Sequence, residues 1–326
     1  MDREKTLLAV LVLGFVTIPN SFGIVRHNGS SDSDYIRFGN HFTSTVISGY
    51  PMENTLYFRA SAVVIDPHWV LCSAHQYFDS TGNPLYSGAF IATGSNFIFD
   101  RGQVYIADQW FCYPGSTASP DGPDIALLYF KNPVPGVTSA VRFRGILQPG
   151  PAVGITGYGR SGTPAAGYFA PDYQRRGCQN RMDRFGDGIT YPEFTIFSDF
   201  VPPTSPDYDP LGGLAGPGDS GGGWFNQEGL LIGISIEVGA LDTSYHNYTI
   251  AQDITWFNEW IDTTMSEMNR TRTLDMPDFA GFSACWMSTT GDARFNGAWD
   301  LVPDGRINNL DLDIFIDQWL CTQPAP

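Results

Sequence analysis

Between Ile24 and about Ile254 the chain is a succession of short apolar runs rich in Val, Ile, Phe and Tyr, broken at close intervals by Gly, Pro, Asn and Asp. Few windows in this stretch carry apolar residues at helical spacing, so a helix would have little to bury. Ala60–Ile65, Trp69–Leu71, Ile125–Phe130, Ala152–Gly157 and Leu230–Ile236 read as strands. Their β-branched and aromatic side chains pack well on a pleated surface, and the turn residues between them close the connections. At 326 residues the chain is long enough to bury a substantial core. A mainly β body is expected.

The texture changes after it. Thr255–Met268 places Trp256, Phe257, Trp260 and Ile261 on one helical face, with Thr255 or Asp253 as a cap. Asn269–Thr273 is polar and basic and reads as a hinge, and the rest of 269–326 is helical and acidic. Within it Asp278-x3-Phe282-x3-Trp286 returns as Asp311-x3-Phe315-x3-Trp319, two helices with the same apolar stripe. Neither could bury that stripe alone.

At the other end, a short charged start (Asp2, Arg3, Glu4, Lys5) precedes an apolar run from Leu7 to Ile18, with small residues at Ser21 and Gly23. Residues 1–23 read as a secretory signal, too short to span a bilayer, and no later stretch would span one. Export to an extracellular or periplasmic compartment is expected. The net charge of −16, with only 18 basic residues, argues against nucleic acid as a partner, because phosphate contacts need clustered Lys and Arg. The five cysteines are Cys72, Cys112, Cys178, Cys285 and Cys321. Export permits disulfides, and Cys285 with Cys321 is the favoured pair because both fall in the C-terminal unit.

Three segments carry chemistry. Gly216-Pro217-Gly218-Asp219-Ser220-Gly221-Gly222-Gly223 surrounds a serine with glycines, which let another molecule approach the backbone and let N–H groups point at a developing oxyanion. Upstream, Cys72-Ser73-Ala74-His75 ends an apolar strand in a histidine, and Asp124 stands directly before Ile125-Ala126-Leu127-Leu128. A serine hydroxyl is a poor nucleophile until a neutral imidazole accepts its proton. The imidazole in turn needs a carboxylate to fix its tautomer and stabilise its charged form.

In this order the segments resemble the boxes of trypsin-like (chymotrypsin-fold) serine proteases, over roughly Ile24 to Met268. The "TAAH" box corresponds to Cys72–His75, the "DIAL" box to Asp124–Leu127 and the "GDSGGP" box to Gly218–Gly223. The resemblance implies a two-barrel fold with a C-terminal helix. It makes Ser220 the nucleophile, His75 the general base and acid, and Asp124 its orienter, with the backbone N–H groups of Gly218 and Ser220 as the oxyanion hole. No cofactor is expected for this catalysis. Cys72, Gln76 and Gly223 depart from the usual threonine, cysteine and proline without removing a catalytic group.

The family's pocket-floor position, six residues before the serine, is Leu214, which implies an apolar or small P1 side chain. The strand Gly233–Glu237 would pair with the polypeptide substrate. In the family a freed apolar N-terminus buries its ammonium beside the acid preceding the serine. Cleavage after Gly23 would make Ile24 that terminus and Asp219 its partner.

Two other readings use the same serine. An inactive protease-like binding module would keep the fold and not the activity. Gly218–Gly222 also satisfies G-x-S-x-G, the nucleophile elbow of α/β-hydrolases, which would recruit Asp242 and His246 and needs a helix after the serine.

Asp300 to Asp311 has the cadence of a calcium loop. Oxygens would come from Asp300, Asp304, Asn308 and Asp311 side chains and the Arg306 carbonyl, with Gly305 at the sharp turn. Followed by an apolar helix, it resembles a dockerin-type repeat over about Leu274 to Leu320. Val302 stands where a ligand is usual. The resemblance implies bound calcium and a cohesin-like or cell-surface partner; the plain alternative is an acidic turn.

Overall fold

Two seven-stranded antiparallel sheets, each rolled into a half-barrel, form the body of the protein in a computed structural model that describes residues 24–319. In the first sheet the strands run in the order Val104–Ile106, Phe90–Ala92, Thr45–Met52, Thr55–Asp66, Trp69–Cys72, Ala126–Tyr129, Gln109–Cys112. The long strand Thr55–Asp66 explains the continuous apolar run read at its end. Ala62 and Val64 face the barrel's own core with Val70, Cys72 and Leu128, while Val63 and Ile65 face the other way. There they meet Trp69, Leu71 and Leu127 together with Phe225, Leu231 and Ile234 of the second sheet. With both faces buried, no polar alternation is possible. Register shifts at Ser48/Gly49 and Val64/Asp66 are bulges of the kind that bend a strand and let a sheet curl.

The second sheet orders Arg176–Arg181, Ala152–Gly157, Gly223–Phe225, Leu231–Val238, Tyr248–Asp253, Thr195–Asp199 and Arg184–Phe185. A smaller sheet of Gly167–Tyr168, Gly162–Thr163, Val25–Arg26 and Gly213–Leu214 ties the start of the described chain into this half. The fold is mainly β with two half-barrels and helices concentrated near the C-terminus.

One helix departs from the expected all-β texture. Asp32–Gly39 is helical, although it buries only Tyr35 and Gly39. Asp32 and Asp34 in its first turn suit the positive end of the helix dipole. Gly39 lies so close to the Arg176 backbone that a Cβ would sit 2.4 Å from its carbonyl carbon. A short helix held by one tyrosine, one close approach and the paired bonds from Arg176 to Asp32 leaves no apolar period to read.

Near the C-terminus a 3-10 turn, Ile254–Phe257, is capped by the Asp253 carboxylate, which accepts from Thr255 N at 2.9 Å, and leads into helix Asn258–Asn269. Phe257 and Ile261 are buried as the face predicts, whereas Trp256 is 58% exposed. Asn269–Thr273, read as a hinge, is tied down. Asn269 donates to Ala298 O at 3.0 Å, and Arg272 pairs with Asp278 and with Asn269 Oδ1.

The repeat forms helices Met276–Ala284 and Asn309–Gln318, each opened by a reciprocal capping box, Asp275 with Asp278 and Asn308 with Asp311. Their Phe282 and Phe315 rings lie 4.8 Å apart over Leu274, Trp299, Leu301 and Ile307. Among the described residues no disulfide forms, and Cys72, Cys112, Cys178 and Cys285 are free thiols. Cys321, and with it the favoured pair, lies outside the described residues, as does the signal expected at 1–23. No described helix is long and apolar enough to cross a membrane.

Candidate active site

His75 and Asp124 are brought together by strand register. Trp69–Cys72 pairs with Ala126–Tyr129 so that Cys72 faces Ala126, and the chain ends just beyond these partners carry the histidine and the aspartate. His75 sits in the 3-10 turn Ala74–Gln76. Its backbone N–H donates to Asp124 Oδ1 at 2.8 Å, and its ring Nδ1 lies 2.6 Å from Oδ2. A carboxylate only accepts, so Nδ1 carries the proton and Nε2 keeps a lone pair. The Asp124 side chain is 1% exposed and that of His75 27%, which sets the acid behind the imidazole and the imidazole at the surface. Gln252 Oε1 accepts from Asp124 N at 3.1 Å.

Ser220 lies in the loop between Gly213–Leu214 and Gly223–Phe225. Gly218 (φ 98°) and Gly221 (φ 76°) hold positive backbone angles that other residues rarely adopt. The N–H groups of Gly218 and Ser220 donate to no acceptor among the described residues, which leaves them available to an oxyanion. The Ser220 hydroxyl makes its hydrogen bond to Ile236 O, at 3.5 Å, rather than to His75. Such bonds commonly tighten only with substrate in place.

What joins the serine loop to the histidine turn is Gln76. Its Nε2 donates to Ser220 O at 3.1 Å, Ser61 O at 3.0 Å and Ser73 Oγ at 2.9 Å, while its Oε1 accepts from Ser48 Oγ. Ser61 adds two links, N–H to Ser220 O and hydroxyl to Gly218 O, both 3.0 Å. Read from sequence, Gln76 was only a replaced cysteine; its role depends on serines distant in the chain.

Beside Ser220 a cavity of about 120 Å3 opens between Ala215–Pro217 and Ser235–Val238, with Leu241 at its side. Leu214, expected at its floor, does not line it. That residue is fully buried, pairs with Val25, and packs on Phe200 and Val238. Glu237 stands on the cavity wall; partial burial pushes its carboxyl above the ordinary range, and the nearby His75 draws it back down. A larger cavity, about 970 Å3, lies between helix Asn258–Asn269 and the C-terminal unit and is lined by none of the three candidate catalytic residues.

Asp219, beside the serine, faces inward and is fully buried. Its carboxylate accepts from Gly159 N at 2.7 Å and Gly216 N at 2.8 Å, and the backbone N–H of Ile24 hydrogen-bonds it too. Burial nevertheless pushes the carboxyl up to about 6. Ile24 is also fully buried, and its φ of 55° is a left-handed conformation that a β-branched residue avoids.

No protein-family model matches the chain, and no curated protein matches it.

The residues that an elbow hydrolase would need stand elsewhere. Asp242 is bonded to Ser244 and Asn247 in an exposed turn, and His246 N donates to Phe200 O. Ser220 is followed by the strand Gly223–Phe225 and not by a helix, so the α/β-hydrolase arrangement is absent.

In the expected calcium loop, Asp300 accepts from Asp304 N at 3.2 Å and Gly305 N at 2.9 Å, winding the chain around its carboxylate with Gly305 at φ 76°. Asp304 accepts from Arg306 N, leaving the Arg306 carbonyl in the same turn. Asn308 and Asp311 accept from the loop backbone as well. The Asn308 oxygen accepts from Leu310 N, and the two Asp311 oxygens accept from Val302 N and Asn308 N, each at 2.8 Å. The oxygens of Asp300 and Asp304 accept in the same way and each keeps a second lone pair, so hydrogen bonding does not separate Asp300, Asp304, Asn308 and Asp311, with the Arg306 carbonyl, as candidate calcium ligands.

Proposed function

We propose that this protein is a secreted serine endopeptidase acting through Ser220, His75 and Asp124. The observation that carries the reading is the doubly bonded His75–Asp124 pair, at 2.6 and 2.8 Å, in one site with a serine whose flanking N–H groups are unspent. On this reading the Ser220 hydroxyl turns from Ile236 O to His75 Nε2 and gives up its proton as Oγ attacks the scissile carbonyl. The N–H groups of Gly218 and Ser220 receive the oxyanion, a contribution of about 3 kcal/mol per donor. The imidazolium, stabilised by Asp124, then protonates the leaving amine, and water resolves the acyl-enzyme. The small cavity next to Ser220 favours small or apolar P1 side chains. Hydrolysis of a peptide library, lost in both Ser220→Ala and His75→Ala, tests the reading; an inactive binding module would bind peptides without cleaving them.

Activation follows from Ile24. In the uncleaved chain its left-handed φ stores strain on the order of 1–3 kcal/mol. Removing residues 1–23 abolishes that torsion and places a new ammonium against buried Asp219. N-terminal sequencing of the exported protein tests this, and a start other than Ile24 refutes it. The C-terminal unit is proposed to be a dockerin-like tether for a cohesin-like or cell-surface partner, its loop binding calcium through Asp300, Asp304, Asn308, Asp311 and the Arg306 carbonyl. A calcium titration followed by the unit's thermal unfolding tests it, and no response at millimolar calcium counts against it.

A further inference from the structure

His68 directly precedes the strand Trp69–Cys72, and 1% of its side chain is exposed. Its Nδ1 lies 2.7 Å from Phe130 O, so Nδ1 carries the proton and the lone pair is on Nε2. That buried Nε2 makes no hydrogen bond among the described residues. It points at two carboxylates of the C-terminal unit, 3.8 Å from Asp278 Oδ1 and 3.9 Å from Asp275 Oδ2.

The separation is informative. A direct hydrogen bond would bring nitrogen and oxygen to about 2.9 Å. A zinc ion about 2.1 Å from each, at a tetrahedral angle, would hold them about 3.4 Å apart. The observed gaps lie nearer the bridged distance, and a small rotation of Asp275 or Asp278 closes the difference. Charge points the same way. Asp278 pairs with the Arg272 guanidinium, Asp275 adds a second carboxyl, and Asp66, which accepts from His68 N at 3.0 Å, adds a third behind the ring. A backbone carbonyl on Nδ1 is also the usual device for orienting a metal-bound imidazole.

We propose that His68 Nε2, Asp275 and Asp278 form a zinc-binding site that staples the C-terminal unit to the first half-barrel. Asp278 Oδ1 keeps a lone pair beyond its bond to Arg272, Asp275 Oδ2 accepts no other hydrogen bond among the described residues, and water completes the shell from the exposed side of Asp275. One imidazole nitrogen with two carboxylate oxygens suits zinc better than calcium, which takes oxygen alone. The site stands whether or not the protein is a protease.

Two substitutions isolate it. His68→Asn keeps a side-chain N–H for Phe130 O and removes Nε2; Asp275→Asn keeps the helix cap and removes the charge. The full chain, stripped with a chelator and held in excess calcium to occupy other oxygen sites, is titrated with zinc by calorimetry. Cobalt is then added in zinc's place and its visible bands recorded. Expected are one zinc per chain, a higher melting temperature with zinc, and an affinity at least about tenfold lower in each variant. Zinc uptake unchanged by either substitution overturns the proposal. So does the absence of stoichiometric uptake, or a His68 ring that nitrogen NMR shows protonated on both nitrogens in the presence of zinc. Should His68→Asn fail to fold, Asp275→Asn, at a partly exposed position, decides alone.

Discussion

Replacing Asp219 with asparagine in the chain that still carries residues 1–23 changes how stability depends on pH. Burial raises the Asp219 carboxyl from 3.8 to about 6, against the opposing hydrogen bonds from Gly216, Gly159 and Ile24. An acid with a raised folded pKa holds its proton more tightly when folded, so stability falls as pH rises from the unfolded value toward about 6 and levels off above it. The span corresponds to about 3 kcal/mol, of which roughly 2 falls between about pH 4 and pH 7. Asparagine cannot titrate. The difference in unfolding free energy between wild type and Asp219→Asn, measured by denaturant at both pH values, should therefore shift by about 2 kcal/mol against the wild type on going to about pH 7. Comparing the two proteins cancels the other buried carboxyls. In chain beginning at Ile24 the ammonium lowers the same carboxyl, and the slope reverses: the pair stabilises at neutral pH and is lost in acid. A difference that stays constant with pH in both forms would refute the assigned electrostatics of Asp219.

Gln76→Leu preserves volume but leaves buried Ser61 O, Ser220 O and the Ser48 hydroxyl without a shared partner. It should cost about 1–3 kcal/mol of stability and lower kcat more than it raises KM; an unchanged kcat would remove Gln76 from the positioning of the serine loop. Profiling cleavage sites should show small apolar P1 residues preferred over aromatic or basic ones by at least about tenfold, as the cavity beside Ser220 is small. Preference for arginine or lysine would contradict the pocket as described.

What was legible in the sequence was what local pattern controls. Strands with both faces buried announce themselves as unbroken apolar runs, and the His75 and Asp124 segments, each at the edge of such a run, meet through one register. The paired helices at Phe282 and Phe315 were visible because the stripe is repeated. Other features depend on approach between distant segments. Counting six residues back from Ser220 says nothing about which way Leu214 faces, and the loop turns it into the core. Helix Asp32–Gly39 is anchored by Tyr35, whose hydroxyl donates to Gly212 O in a distant loop, and has no period of its own. The supposed hinge is polar because Asn269 and Arg272 bond to Ala298 and Asp278, not because it is free. Gln76 likewise gains its meaning only from Ser48, Ser61 and Ser220.

The most direct measurement of the central claim is labelling of the processed protein with a serine-directed phosphonate, located by mass spectrometry. The account predicts one adduct on Ser220, abolished by Ser220→Ala and strongly slowed by His75→Ala. Processed chain that begins at Ile24, folds, and takes up no phosphonate at Ser220 would contradict it.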